Sequence, residues 1–352
     1  MPINNKKTLI STTQLVDEFA NIVIDTHGTP TEFDRIASFE NSGADNLVFI
    51  QSAKQLPKQA AVIITKSDVA EEIKAQTSSY IICVADPRLA QAKIGQHFDD
   101  YQSEDSEWSR IHPSAVIHES SVLSDNCRIG PNVVIGANCS IGDAVIIRAN
   151  SVIEHDVVIG SNSIIHACVN IGYESQIGQN VIIKSGAVIG GEGYGFAVDS
   201  NNIYHRIPHT GNVILEDDVR IGSNTCIDRG TYGSTHIHRG VKIDNLCHIA
   251  HNCVIEEDAL LISMCGISGS NHIGKRAILS GQTGTLDHIN IADDAVLVHR
   301  AGVSQDVASG GVWAGTPPRP LKEYLRTHRL PKKVSTLEKR IKELEQKLND
   351  LT

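Results

Sequence analysis

Aromatic side chains are scarce in this chain: six Phe, seven Tyr and two Trp among 352 residues, 4% in all. Without large rings the interior has to be filled by Ile, Val, Leu and Ala, which suits a thin solenoid of aliphatic rungs better than a globular core. An excess of positive charge is missing too. With 31 Lys and Arg against 41 Asp and Glu the formal charge is −10, which argues against a nucleic-acid binder. No apolar run approaches the roughly 20 residues of a membrane span. The opening MPINNKKTLISTTQ lacks the apolar core of a signal peptide, so a cytoplasmic protein is expected. The eight Cys form no CxxC and no paired spacing. Reduced packing thiols are expected rather than disulfides.

What the chain has in abundance is a period. From Ile111 every sixth residue is a branched aliphatic, through Ile117, Leu123 and Ile129 to Ile189. The series returns as Leu215, Ile221 and Ile227, and again from Ile237 to Leu279, with Thr285 alone out of place before Ile291, Leu297 and Val303. Helices repeat at about 3.6 residues and strands at 2. A six-residue period marks a parallel β-helix in which each short strand adds one aliphatic to a shared interior. Cys127, Cys139, Cys247, Cys253 and Cys265 each lie four residues after a repeat aliphatic, a slot for small side chains at a prism corner.

The period divides the chain. Residues 1–100 do not follow it. There LVFI, AAVIIT and SYIICVA read as strands and TTQLVDEFA and PRLAQAKIGQHF as helices, giving an α/β domain. A linker at 101–109 follows, overlapping the polar stretch DDYQSEDSEW (Asp99 to Trp108). The prism spans 110–312 and is interrupted twice. Gly191 to Asn212 carries GGEGYGFAVDSNN with Tyr194, Phe196, His205 and His209, and Arg229 to His236 is shorter. A solenoid admits insertions only as surface loops, and such loops often form binding sites. Over 317–352 the pattern turns helical. Leu330, Val334, Leu337, Ile341, Leu344, Leu348 and Leu351 form a coiled-coil stripe beside many Lys and Arg. That tail suits self-association, docking of an acidic partner, or both.

Six residues per face make eighteen per coil, so residues eighteen apart stack at about the 4.8 Å spacing of paired strands. Gly269 therefore lies next to His251, with Asp287 one coil further and His288 beside it. Asp244 is seven residues before His251. A His base, an Asp to orient it and a Gly whose N–H can approach a ligand are the parts of acyl transfer. HIAH (His248 to His251) could suggest zinc, but residues three apart straddle a corner, and no metal is expected.

These residues resemble a known family. KIDNLCHIAHNCVIEEDALL (Lys242 to Leu261), IGSNTCIDRG (Ile221 to Gly230) and GYGF (Gly193 to Phe196) are similar to the bacterial UDP-3-O-(3-hydroxyacyl)glucosamine N-acyltransferases of lipid A synthesis, as is the three-part plan. The resemblance is specific over about 190 to 320. It implies a left-handed β-helix, and a homotrimer in a Gram-negative cytoplasm with sites between neighbouring prisms. No tightly bound cofactor is implied. The acyl donor would ride on the phosphopantetheine arm of acyl carrier protein, and the acceptor would be the 2-amino group of a UDP-3-O-acyl-glucosamine. His251 matches the general base, Asp244 the carboxylate that orients it and Gly269 the oxyanion donor. His288 and Asn245 match substrate contacts. In the N-terminal domain the family stacks uracil with an aromatic, an Asn and a Tyr. Phe49 fits the aromatic, whereas Ser52 and Gln55 stand where Asn and Tyr are expected, which implies altered nucleotide binding or another acceptor. The alternatives are another hexad sugar acyltransferase, such as an acetyl-CoA-dependent one, and a non-catalytic β-helix scaffold.

Overall fold

The computed structural model describes residues 9–97 and 109–349. They fall into two compact units that divide within the segment 98–108. All but the last residue of the linker expected at 101–109 lie outside the described residues.

The first unit is an α/β domain. Its five-stranded sheet runs Val23–His27, Tyr80–Val84, Val62–Thr65, Asn46–Phe49, Arg35–Ile36. The edge pair Val23–His27 and Tyr80–Val84 is antiparallel and the other pairs are parallel. Val62–Thr65 and Tyr80–Val84 are buried throughout, as expected of parallel strands covered on both faces. The helices Thr12–Glu18 and Pro87–His97 fall where the sequence predicts them. Helix Ser67–Ile73 and strands Val23–His27 and Arg35–Ile36 are additional. Their apolar residues are too few and too short in run to give a period.

The second unit is a left-handed parallel β-helix. Mostly two-residue strands stack into three sheets of 11, 10 and 9 strands, parallel throughout except that the first closes with Arg319–Pro320 antiparallel to Gly311–Ala314. Away from the insertions and the closing coil the partners are eighteen residues apart, as Ile129↔Ile147 and Ile249↔Ile267. The repeat aliphatics point inward and form one continuous core, in which Ile153, Ile171, Ile227, Ile249 and Ile267 are fully buried. The slot four residues on holds mostly Val, Ala, Cys, Ser or Thr, and the five Cys named above are buried there. At the corners the third residue after the aliphatic takes a positive φ, as at Asn132, Asn150, Asn162 and Asn252. Asn tolerates this left-handed conformation better than most residues.

The insertions shift the register. Partners across the first are 38 apart (Ile183↔Ile221) and across the second 22 apart (Ile221↔Ile243). The loops therefore add twenty and four residues to the coil of eighteen. The first folds into a hairpin, Phe196–Val198 against Tyr204–Arg206, with Tyr194, Val198 and Tyr204 exposed. After Pro320 the chain forms helices Leu321–His328 and Leu330–Asn349. Among the described residues no helix is long and apolar enough to cross a membrane.

Candidate active site

His251 stands at a prism corner just after strand His248–Ile249, and its side chain is half-buried. The eighteen-residue count places Gly269 against it, and the contact is close. A Cβ built on Gly269 would lie 2.5 Å from Cε1 and 2.7 Å from Nε2 of His251. Only glycine leaves that space.

The protonation of the ring follows from its neighbours. Asn252 donates through Nδ2 to the carbonyl of Tyr232 at 2.7 Å, so its Oδ1 is the acceptor. That oxygen takes the Thr231 N–H at 2.9 Å and faces His251 Nδ1 at 3.2 Å. An amide oxygen can only accept, so Nδ1 of His251 carries a proton, and in the neutral ring the lone pair falls on Nε2. Thr231 Oγ1 lies 3.4 Å from the same Nδ1.

At several corners the N–H of the second residue after the repeat aliphatic is capped by a carboxylate. Asp217 caps Gln179, Glu154 caps Tyr173 and Asp293 caps Lys275. Gly269 holds the equivalent position, and among the described residues its N–H has no acceptor. The fold repeatedly uses this group to bind anionic oxygen, and beside Nε2 of His251 it is left open. Thr285, the one polar intruder in the aliphatic series, accepts the N–H of the adjacent Ser268 at 3.1 Å and steadies this turn.

The cleft beside His251 has a volume of about 600 Å³. Tyr194, His248, Gly266, Ser268, Asp287 and His288 line it. His288 is exposed, and its N–H donates to the Gly269 carbonyl at 3.1 Å. A Cβ on Gly266 would meet nothing within 4 Å, so the wall there is open.

Several residues that the sequence reading did not single out surround the base. His209, from the first insertion, lies with its ring 5.0 Å from that of His251. It donates from Nδ1 to the Ile207 carbonyl at 2.9 Å. Burial lowers its pKa, and the nearby His251 adds to the effect. Gly193 of GYGF packs against both residues, since a Cβ there would meet the His209 ring at 2.6 Å and the His251 Cβ at 3.2 Å. Asp228 is buried, with His248 Nε2 at 3.5 Å from its carboxylate. Burial pushes its carboxyl up, and His248, His251 and His209 pull it partly back. Arg229, also buried, donates to the carbonyls of Gly190 and Gly211 and so ties down both ends of the first insertion. Its guanidinium lies 3.4 Å over the Tyr173 ring. Cys253, two residues from His251, is no nucleophile, because burial pushes its thiol up to about 12.

Two expected residues lie apart from this group. Asp244 follows the strand Lys242–Ile243, one prism edge before His251. Its carboxylate accepts the N–H groups of Asn245 at 2.7 Å and Ser263 at 3.1 Å, and no hydrogen bond or ion pair joins it to His251 of its own chain. Asn245 likewise caps Ser223 N–H at 2.7 Å. A separation of seven residues crosses one face and therefore arrives at another corner. Within the chain the orienting acceptor is Asn252, which adjacency to His251 could have flagged. In the first unit Phe49 ends a core strand and packs, half-buried, against the domain core. Gln55 caps Gln51 N–H at 2.7 Å, and Ser52 precedes the short helix Ala53–Gln55.

A family model described as the GMPPB C-terminal domain matches residues 111–194, the uninterrupted part of the hexad series. A UDP-3-O-acylglucosamine N-acyltransferase of Methylococcus capsulatus is 46% identical over 328 residues, covering 92% of this chain and 93% of its own. One from Pseudomonas fluorescens is 36% identical over 331 residues, 92% of each. One from Helicobacter hepaticus is 35% identical over 299 residues, 84% of this chain and 87% of its own. Among solved structures, the UDP-N-acetylglucosamine O-acyltransferase of Moraxella catarrhalis aligns over 62% of this chain and 78% of its own. Its identity is 26% and its TM-score 0.46.

Proposed function

The chain belongs to the UDP-3-O-acylglucosamine N-acyltransferase family and is an acyltransferase, and on that premise we propose the reaction and its machinery. The donor is a 3-hydroxyacyl thioester on the phosphopantetheine arm of acyl carrier protein. The acceptor is the 2-amino group of UDP-3-O-acyl-glucosamine, in lipid A synthesis.

The observation that carries this reading is the open Gly269 N–H beside the free Nε2 of His251. His251 Nε2 removes a proton from the acceptor nitrogen as it attacks the thioester carbonyl. The carbonyl electrons move to oxygen, and the Gly269 N–H stabilises the O⁻ that results. Collapse re-forms C=O and breaks the C–S bond, and the imidazolium returns its proton to the departing thiolate. Asn252 and Thr231 keep the base in the required tautomer. His288 contacts substrate from the cleft wall.

Asp244 and Asn245 sit exposed on the preceding edge. In a homotrimer with sites between neighbouring prisms they serve the His251 of an adjoining subunit. Phe49 stacks uracil, with Ser52 and Gln55 giving a variant nucleotide contact. The exposed cations Lys322, Arg326, Arg329, Lys332 and Lys333 of the C-terminal helices attract the acidic carrier protein, an effect that salt screens.

The test is acyl transfer from 3-hydroxyacyl carrier protein to UDP-3-O-acyl-glucosamine, with acetyl-CoA as a rival donor. His251→Ala should lose on the order of 10³-fold in kcat/KM, within the range for general-base removal. Asn252→Ala should lose less, with an altered pH profile, because only the tautomer is freed. An inert but folded wild type, or preference for acetyl-CoA, would overturn the proposal.

A further inference from the structure

Away from the cleft, Glu216, His236 and His238 form a second cluster that the acyl transfer does not use. Glu216 follows strand Asn212–Leu215 on one coil. His236 lies in strand Ser234–Ile237 of the next coil, and His238 follows it. Thr235 and Ile237 point into the core, so the two His project outward on the same face. His236 Nε2 lies 2.9 Å and His238 Nδ1 3.1 Å from one oxygen of Glu216, Oε1. The other oxygen, Oε2, accepts the Arg239 N–H at 2.9 Å, which fixes the carboxylate. All three donor atoms lie within 4.8 Å of one another. The side chains are only half-buried, so the cluster opens to solvent.

We propose that Glu216 Oε1, His236 Nε2 and His238 Nδ1 bind a divalent transition-metal ion, zinc fitting best, with water in the remaining position. Two imidazoles and one carboxylate are a donor set for zinc and its neighbours, whereas calcium and magnesium take oxygen. Ligands about 2.0–2.1 Å from a tetrahedral ion stand roughly 3.3 Å apart, close to the N···O separations here. The two rings stack at 4.0 Å with 19° between their planes. As imidazolium ions they would repel each other, while one metal ion uses both as neutral donors. Binding opens the stack by χ2 rotation, which is soft for His and free at a half-exposed site. The Arg239 backbone N–H on Oε2 supplies the outer contact that orients the carboxylate ligand.

The ion would join consecutive coils where the second insertion ends. That insertion carries Thr231, which faces His251, so the metal braces a loop of the cleft from outside.

The test uses full-length protein freed of metal by chelation and titrated with zinc against a competing indicator. One ion per chain should bind at micromolar affinity or tighter. His236→Gln and His238→Gln should each weaken binding at least tenfold. His272→Gln, which breaks the similar but single pair with Glu256, should leave it unchanged. Zinc should shift the ring signals of His236 and His238 in NMR spectra. If either His variant fails to fold, Glu216→Gln, nearly identical in shape, should show the same tenfold loss. Unchanged affinity in these variants would place the ion elsewhere and overturn the proposal, as would absence of binding by the wild type.

Discussion

His166 is buried, only 4% exposed, in the slot between Arg148 and Lys184 on the coils before and after it. Burial first, and then these two cations, lower its pKa from 6.5 to about 4. The unfolded chain takes up this proton near pH 6.5, and the folded chain refuses it until about pH 4. The folded state is therefore favoured fully above pH 6.5 and loses that advantage as the pH falls towards 4. By pH 5 the loss is about 2 kcal/mol. Melting temperatures at pH 7.5 and pH 5 should differ more for the wild type than for His166→Gln. His209 titrates with the same sign and remains in the variant, so the difference isolates His166. Equal pH sensitivity would assign the effect to other groups. The cleft residues differ in how they could be found. Counting eighteen leads from His251 to Gly269 because strand register fixes backbone position. It does not lead to Asn252, Thr231 or Asp228, because their relation to His251 depends on side-chain direction at corners and on an insertion.

The strands are two residues long, so the corners between them carry much of the conformational cost. Most corner residues that adopt positive φ are Asn, Asp or Gly, but Ala144 does so at φ 51. An L-residue with a bare methyl group pays roughly 1–2 kcal/mol there. Glycine removes that strain, although its looser unfolded chain takes back roughly 0.5–1 kcal/mol. Ala144→Gly should therefore raise stability by up to about 1.5 kcal/mol. Denaturant titration would detect this, and a loss of stability would mean that the methyl packs more than it strains. The insertions set what the strands bring together. The four residues added to the second coil pair Leu215 with Ile237. Glu216 thereby comes beside His238. With an ordinary coil of eighteen it would have met position 234.

At the scale of the whole molecule, the stripe on helix Leu330–Asn349 lacks cover. Leu330, Val334, Leu337, Ile341 and Leu344 are each about half exposed. Burying such a side chain stabilises by roughly 1.5–3 kcal/mol, so the stripe favours association. In the proposed homotrimer three copies of this helix meet through it. Leu337→Asp with Ile341→Asp should lower the mass seen by light scattering, or the melting temperature of the trimer. Both unchanged would place the contact elsewhere.

The β-helix, its aliphatic core, its buried thiols and the helical tail were determined by the sequence alone. Each hexad casts the same local choice of an inward aliphatic, and many such choices agree on one register. The two interruptions were equally plain as breaks in that period. Only the tertiary structure decided what meets around them. It set His209, Gly193 and Asp228 about His251, left the Gly269 N–H open, and kept Asp244 at its own corner as a cap. The period specifies which residues face inward. The outward side chains, on which the chemistry depends, are placed by loop length and by the direction each corner gives them.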